Sequence, residues 1–509
     1  MGYVIGVDSS TSAVKAAVFD ADGRQIAVGR ASLGMSEPRP GWHEQDCRDW
    51  IDGLYDALGQ LKGQIDLTQV KAMAVTCQRE TVVLLDEANE PIRPAIVWMD
   101  TRATEQVERL GSEMVHAETG KPPATVNGLY KLIWLYENEP DSIRRTKTVY
   151  DVSGYLMNAL TGIRATCFAT GDTLSVVDLK QGKYAAHTIA LAGLTEAQFP
   201  PLVNTGEIVG AITDEVAERT GLPKGLPVVS TVGDGQAAGV GANVVSSDLA
   251  YLSLGTGIAL GVPATEYSYS PAYRTLVGYE AGSFYLECLV ANGSYLVSWF
   301  IRKFEIEGDA KTKESAETKL ENMARAVPPG SEGLFCVPYF SGCMTPHWDG
   351  DSRGAFIGLR GSHGMAGMYR SILEGISYDI KLCLNGTNQA RGKPVKGLIV
   401  MGGGANSALW CQIIADQTGC FVQVCEQQEV TALGAAIHAA AAVGFCGTKS
   451  IAQTANRMSR LGKRFDPDLS AHAKYQEYFP IYEQLYFKLA STYKSIAVIE
   501  NGPAKPPAA

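Results

Sequence analysis

The chain opens on the apolar, β-branched run Tyr3-Val4-Ile5-Gly6-Val7-Asp8, continues through small and polar residues at 9–13, and resumes an apolar run over 14–19 that stops at Asp20-Ala21-Asp22-Gly23. Such runs parted by turn formers predict a strand, a polar turn and a strand. The pattern returns about 245 residues later as Leu249-Ala250-Tyr251-Leu252-Ser253-Leu254, then Gly255-Thr256-Gly257, then Ile258-Ala259-Leu260-Gly261-Val262. Two copies so far apart predict two similarly started halves rather than a short-period array. Between them, spacing predicts a helix over 46–61, strands over 70–75 and 82–86, and an amphipathic helix over 131–136. Further on, Gly397-Leu398-Ile399-Val400-Met401 runs into Gly402-Gly403-Gly404 and a helical segment over 407–418 closed by Gly419. Strand, glycine turn and helix begin a parallel crossover. The stretch 431–443 is mostly alanine, so its helix should lie very close to a neighbouring backbone. The class is α/β in two domains, 1–245 and 246–500, and the proline-bearing tail 501–509 is expected to be disordered.

With 509 residues, 46% apolar and 19% charged, the chain has the mix of a compact globular protein and length for two large cores. Acidic residues outnumber basic ones 54 to 44, a formal charge of −10, which argues against a broad basic face for nucleic acid or anionic lipid. The most lipid-like stretch, 431–445, contains His438 and falls short of the ~20 residues that span a bilayer. Eleven cysteines without zinc-type spacing are expected as reduced, buried thiols, and the start enters a strand with neither a basic n-region nor a cleavage site. A cytoplasmic location is expected.

Asp8-Ser9-Ser10-Thr11-Ser12, followed by Lys15, can aim backbone N–H groups and hydroxyls at a phosphate, with the acid holding a hydrated Mg²⁺; the plain alternative is a polar hairpin turn. Gly255-Thr256-Gly257 offers the same device with room for close approach. Phosphate-type hairpins at equivalent points of two halves suit a nucleotide held between domains. Gly233-Asp234-Gly235-Gln236-Ala237-Ala238-Gly239 superficially imitates a dinucleotide fingerprint, but the third glycine is one place late and Asp234 would stand where the pyrophosphate belongs. Asp234 suits either a general base for a hydroxyl or a helix N-cap. Gln78-Arg79-Glu80-Thr81 and Trp98 offer bidentate partners and a flat face to a polyhydroxylated ligand, or else a surface salt bridge and a core indole.

Together these segments resemble the FGGY family of carbohydrate kinases, from Tyr3 to about Cys446. The first hairpin is similar to the family's first phosphate motif, Gly255-Thr256-Gly257 to its second, and Gly233-Asp234 to its catalytic aspartate. Gly402-Gly403-Gly404-Ala405-Asn406 resembles its adenosine motif, and the run from Glu429 to Ala436 its closing helix. Gln78-Arg79-Glu80-Thr81 looks like the substrate segment of glycerol kinases, where xylulose kinases usually carry Met-His in place of Arg79-Glu80. The resemblance implies two actin-like, ribonuclease-H-like ATPase domains with the active-site cleft between them. It implies ATP at Thr11, Ser12, Lys15, Gly255, Thr256, Gly257, Gly402, Gly403, Gly404 and Asn406, and Mg²⁺ at Asp8 and Asp234. Arg79, Glu80, Trp98 and Asp234 would meet the sugar or polyol, with Asp234 catalytic. Ser10 stands where the family's first turn has glycine. Glycerol kinases carry a tyrosine near Val126 and a glutamine at Gly235, so their absence predicts a roomier pocket and a pentulose such as xylulose, or a C4–C5 polyol, ahead of glycerol. An actin-like ATPase or a silent sugar-binding regulator are the readings from other classes. The expected partners are that small molecule and MgATP, with neither nucleic acid nor membrane, and a homodimer is compatible with the sequence.

Overall fold

The structure is a computed structural model and describes residues 2–308 and 315–501. The first sheet contains β1 (Tyr3–Ser9), β2 (Ala13–Phe19), β3 (Gln25–Ser32), β4 (Val70–Cys77), β5 (Ile208–Ala211) and β6 (Pro227–Val229), in the order β5-β6-β4-β1-β2-β3. β1 and β2 form the expected hairpin, and β4 runs parallel to β1 on its other side. The second sheet contains β7 (Leu249–Leu254), β8 (Ile258–Ala264), β9 (Arg274–Val277), β10 (Phe284–Val290), β11 (Gly397–Met401), β12 (Phe421–Cys425) and β13 (Leu461–Phe465). Its order is β9-β10-β8-β7-β11-β12-β13, with β7 and β8 antiparallel and β11 parallel to β7. Each sheet thus seats a hairpin at its centre and flanks the hairpin's first strand with a parallel one.

Helix α1 (Cys47–Gly59) begins where Asp46 accepts a hydrogen bond from Arg48 N. Its buried stripe of Trp50, Leu54, Ala57 and Leu58 recurs every three or four residues and packs on the first sheet. Each buried Leu or Trp there contributes about 2–3 kcal/mol, whereas losing the Asp46 cap would cost about 1. The other helices bearing on the site are α2 (Gly128–Asn138), α3 (Asp234–Gly241), α4 (Met365–Arg391), α5 (Ala408–Thr418), α6 (Val430–Ala442) and α7 (Leu469–Asn501). α5 has the expected ends, Ser407 accepting from Trp410 N and Gly419 left-handed at φ 74°.

Between the sheets, α6 lies against α3 and β1 with almost no side chain between. A Cβ at Gly6 would stand 1.8 Å from Ala432 O, one at Gly434 1.9 Å from Ala237 O, and one at Gly241 2.0 Å from Val430 O. The alanine-rich stretch therefore does approach backbone closely, and the cluster around it joins Val4, Ala74 and Val229 of the first sheet to Tyr251, Ile399 and Met401 of the second. One expectation is corrected: Asn501, placed at the head of the tail, is the last residue of α7. Residues 502–509 of that tail lie outside the described residues. No helix among the described residues is long and apolar enough to cross a membrane, and all eleven cysteines are buried and unpaired.

Candidate functional site

Parallel strands place their carboxyl ends at one edge, where α/β folds present ligands. In the first sheet this edge gathers Asp8 at the end of β1, residues 78–80 after β4, and Asp234 after β6. Asp234 is not the N-cap of α3 but its first residue, behind Gly233. Its Oδ1 takes both protein contacts, from Gly235 N at 2.7 Å and from Arg79 Nε at 2.9 Å. The Asp234 side chain keeps 36% of its surface open. Burial of the rest raises its pKa above the ordinary carboxylate value, and Arg79 opposes the rise.

The first turn is built largely from side chains. Ser10 Oγ donates to Ala13 O at 2.9 Å, Thr11 Oγ1 donates to Gln78 Oε1 at 2.9 Å, and Trp98 Nε1 donates to Thr11 Oγ1 at 3.0 Å. Thr11, expected at the nucleotide, is thereby wired to Trp98, expected at the sugar. Ser12 is exposed, and Lys15 Nζ donates to Glu429 Oε2 at 3.1 Å, at the start of α6. Asp8 is 7% exposed and its Oδ1 has no hydrogen-bond partner among the described residues. Burial and the nearby charge of Asp234 push Asp8 from 3.8 up to about 7, with Lys15 pulling the other way. A buried, unpaired carboxylate oxygen facing a second carboxylate is the donor set a divalent cation would relieve. Among the described residues no three His, Cys, Asp or Glu form a metal cage, so Mg²⁺ held here would draw its remaining ligands from phosphate oxygens and water.

In the second sheet the turn 255–257 follows β7 and the triple glycine follows β11, again side by side. Thr256 and Gly257 are exposed, and the turn is braced from behind, Gly293 N donating to Thr256 O and Ser294 N to Gly255 O, each at 2.8 Å. Gly402 is left-handed at φ 86°, and a Cβ there would come within 3.0 Å of Leu254 O. Gly403 faces open space, Gly404 packs under Trp410, and Asn406 ends the turn exposed.

Arg79 and Glu80 are not surface charges. Arg79 spans from Asp234 to Glu287 of β10, its Nη1 lying 3.0 Å from each Glu287 oxygen, and Glu80 pairs with Arg274 of β9. Glu80 takes a left-handed φ of 64°, costly for a residue with a Cβ and held by the packing around it. The room expected from Gly235 is absent: a Cβ there would meet Arg79 Nη2 at 2.7 Å, so the arginine already fills that space. Trp98 is half-buried with one edge toward the turn.

Sequence reasoning missed Glu287, Arg274 and Tyr251, and gave Lys131, on the helix expected over 131–136, no part in the site. Glu287 is fully buried, and although burial raises its pKa, Arg79, Arg274 and the Tyr251 hydroxyl outweigh that and hold it down at about 2. Lys131 Nζ reaches the carbonyls of Val126, Trp98 and Glu80 at 2.5, 3.3 and 3.4 Å, gathering three segments of the pocket wall; burial lowers it to about 8. The overlooked signal was a single charge inside an apolar stretch, as in Phe284-Tyr285-Leu286-Glu287-Cys288-Leu289-Val290.

Residues 3–241 match the N-terminal domain of the FGGY family of carbohydrate kinases, and residues 250–443 match its C-terminal domain. The chain is 28% identical over 496 residues to a xylulose kinase of Bacillus subtilis (strain 168), covering 96% of this chain and 97% of that one. It is 29% identical over 470 residues to a glycerol kinase of Saccharopolyspora erythraea, covering 88% and 91%. The crystal structure of xylulose kinase from Rhodospirillum rubrum superposes with a TM-score of 0.89 at 26% identity, over 97% of this chain and 100% of that one. From its paired hairpins to the folding of both domains, the chain belongs to the FGGY family of carbohydrate kinases.

Proposed function

We propose that this carbohydrate kinase transfers the γ-phosphoryl group of ATP to a hydroxyl of a neutral pentulose, xylulose first, or of a related C4–C5 polyol, in the cytoplasm. The observation that carries the reading is Asp234: both of its protein contacts fall on Oδ1, leaving Oδ2 open at the strand edge it shares with Asp8. Oδ2 accepts the proton of the attacking hydroxyl, and Arg79 fixes the carboxylate so that its lone pair stays aimed. The turns holding Thr11 and Ser12, and Gly255, Thr256 and Gly257, take the phosphates from opposite domains, and the glycines 402–404 with Asn406 take the nucleoside. Asp8 and Asp234 would hold Mg²⁺, which would supply charge neutralisation on the phosphates. What this chain contributes is chiefly positioning, as phosphoryl transfer requires. The division near residue 245 falls between the two matched family domains and would serve as the joint of the cleft.

A second reading, glycerol as the substrate, is favoured by Arg79 occupying the space above Gly235, which shortens the pocket. An ADP-release assay over glycerol, erythritol, xylitol, xylulose and ribulose separates the two by the rank of kcat/KM. Asp234→Asn should lower kcat on the best substrate by roughly 10²–10⁴ with ATP binding retained. Turnover at the wild-type level in that variant would exclude Asp234 as the base.

A further inference from the structure

The register of the second sheet lines up Tyr251, Gly261, Glu287 and Arg274 across four neighbouring strands. Gly261 is bare for a reason: a Cβ there would stand 2.2 Å from the Tyr251 ring, which crosses over it to bring its hydroxyl 2.5 Å from Glu287 Oε2. From the other side Arg274 donates to Glu287 Oε1 through Nε at 2.8 Å and Nη2 at 2.6 Å. Into this fully buried acid reaches Arg79 of the other domain. Its path to Glu287 crosses the Asp234 turn over bare backbone, since a Cβ at Gly233 would lie 2.5 Å from Arg79 Cδ and one at Gly235 2.7 Å from Nη2.

We propose that Glu287 is a specificity-determining positioning residue, which holds Arg79 down on the Gly233-Asp234-Gly235 turn and commits both arginines to the protein, so that the site takes neutral polyhydroxylated substrates and turns away sugar acids. The proposal rests on reading the Asp234 turn as the sugar site. Its logic is charge accounting within one connected network: Arg79 and Arg274 face Glu80, Glu287 and Asp234. Of the neighbouring ammonium groups, Lys121 is paired with Asp172 and Lys131 is held on the carbonyls of Val126, Trp98 and Glu80. An entering carboxylate finds both guanidinium groups and both neighbouring ammonium groups already engaged by the protein, which is discrimination by the want of a free cation rather than by fit. A hydroxyl carries no such penalty.

The test measures kcat/KM for xylulose and for xylonate in wild type, Glu287→Gln and Gly235→Ala, with KM for MgATP alongside. Glu287→Gln removes the charge. Gly235→Ala keeps every charge and displaces the Arg79–Glu287 contact, and it is tolerable for the fold because Gly235 lies within α3 and its new Cβ meets only the ends of two flexible side chains. In the folded variants the ketose-to-acid ratio should fall tenfold or more, through a higher KM for xylulose, while KM for MgATP stays within twofold. A smaller fall in Glu287→Gln overturns the proposal; if that variant does not fold, Gly235→Ala decides by the same criterion. A wild-type preference for xylonate overturns it as well. If Asp234→Asn abolishes turnover yet the ratio holds, Glu287 alone has been misread; if Asp234→Asn turns over normally, the sugar-site reading itself fails.

Discussion

The two central hairpins have the same place in their sheets and are built in opposite ways. The first turn is braced by side chains, with Thr11 joined to Gln78 and Trp98, Gln45 Nε2 donating to Thr11 O at 2.7 Å, and Ser10 folded back on Ala13. Among the described residues the second is braced by backbone alone, and it leaves Thr256 exposed. The first also carries the charged residues Asp8 and Lys15, whereas no residue from Leu249 to Ala264 is charged. A duplicated element has thus been divided between two tasks. On the proposed reading, the first hairpin would be coupled to the sugar pocket and own the electrostatics, and the second would respond only to the nucleotide.

The widest separation should come from Asp8. Asp8→Asn removes the only carboxylate in either hairpin, and kcat/KM for MgATP should fall about 10²-fold, the scale of losing one preorganised charge-stabilising group. The same variant has a signature without nucleotide. Asp8 ionises near 3.8 when unfolded and near 7 when folded, so between those values the folded chain holds a proton that the unfolded chain has released. Its contribution to stability is complete below about pH 4 and is lost as the pH rises through 7, at up to about 1.4 kcal/mol per pH unit. Asp379, also lifted to about 7 by burial, behaves alike, so the difference between wild type and Asp8→Asn isolates the hairpin. Thermal unfolding across pH 4–8 should show a shallower decline in the variant. Parallel declines would mean that Asp8 is not the buried acid described.

Thr11→Val and Thr256→Val probe the coupling itself. Thr11→Val strands Trp98 Nε1 and Gln78, at about 1–3 kcal/mol, so KM should rise about tenfold or more for the sugar as well as for MgATP. Thr256→Val loses a single exposed hydroxyl and should raise KM for MgATP a few-fold with the order of sugars unchanged. Equal effects of the two on the sugar would erase the distinction between the hairpins.

What the sequence disclosed, and what it hid, follows the same physics. The hairpins, α1, β11 and α5 were legible because apolar period, turn residues and caps all agree in those stretches. α4 was not: Arg370, Glu374, Asp379 and Lys381 are buried in it and interrupt the apolar stripe, their charges answered by partners such as Tyr475 and Tyr482 on distant α7. α7 was hidden by Pro480, which reads as a stop yet sits inside the helix. At the site, Asp8 and Asp234 declare themselves by standing at strand ends among small residues. Glu287 and Arg274 are meaningful only once β9 and β10 are in register, and no local pattern gives that register. The filling of Gly235 by Arg79 was equally unreadable, because a missing side chain does not say which neighbour takes the space.

Ser10 offers the smallest effect and the finest test of the comparison. In the family's pattern a glycine stands there, which suggests a Cβ crowding the phosphates or a strained turn. The geometry supports neither: Ser10 does not adopt a left-handed φ, so its Cβ carries no backbone penalty, and its hydroxyl is turned inward to Ala13 O at 2.9 Å. Ser10 N also donates to Ala13 O, at 3.0 Å, so two bonds close the turn where a glycine would supply one. Ser10→Gly therefore removes one partly buried hydrogen bond, about 0.5–1.5 kcal/mol, and adds chain entropy to the unfolded state, about 0.4–1. Both changes lower stability slightly, and neither opens space at the phosphates. The expected outcome is a modest drop in the unfolding midpoint, with KM for MgATP within threefold of wild type and the sugar unaffected. If Ser10→Gly instead lowered KM for MgATP tenfold, the serine would be a steric brake on the nucleotide, and the first hairpin would be limited by its side chains rather than supported by them.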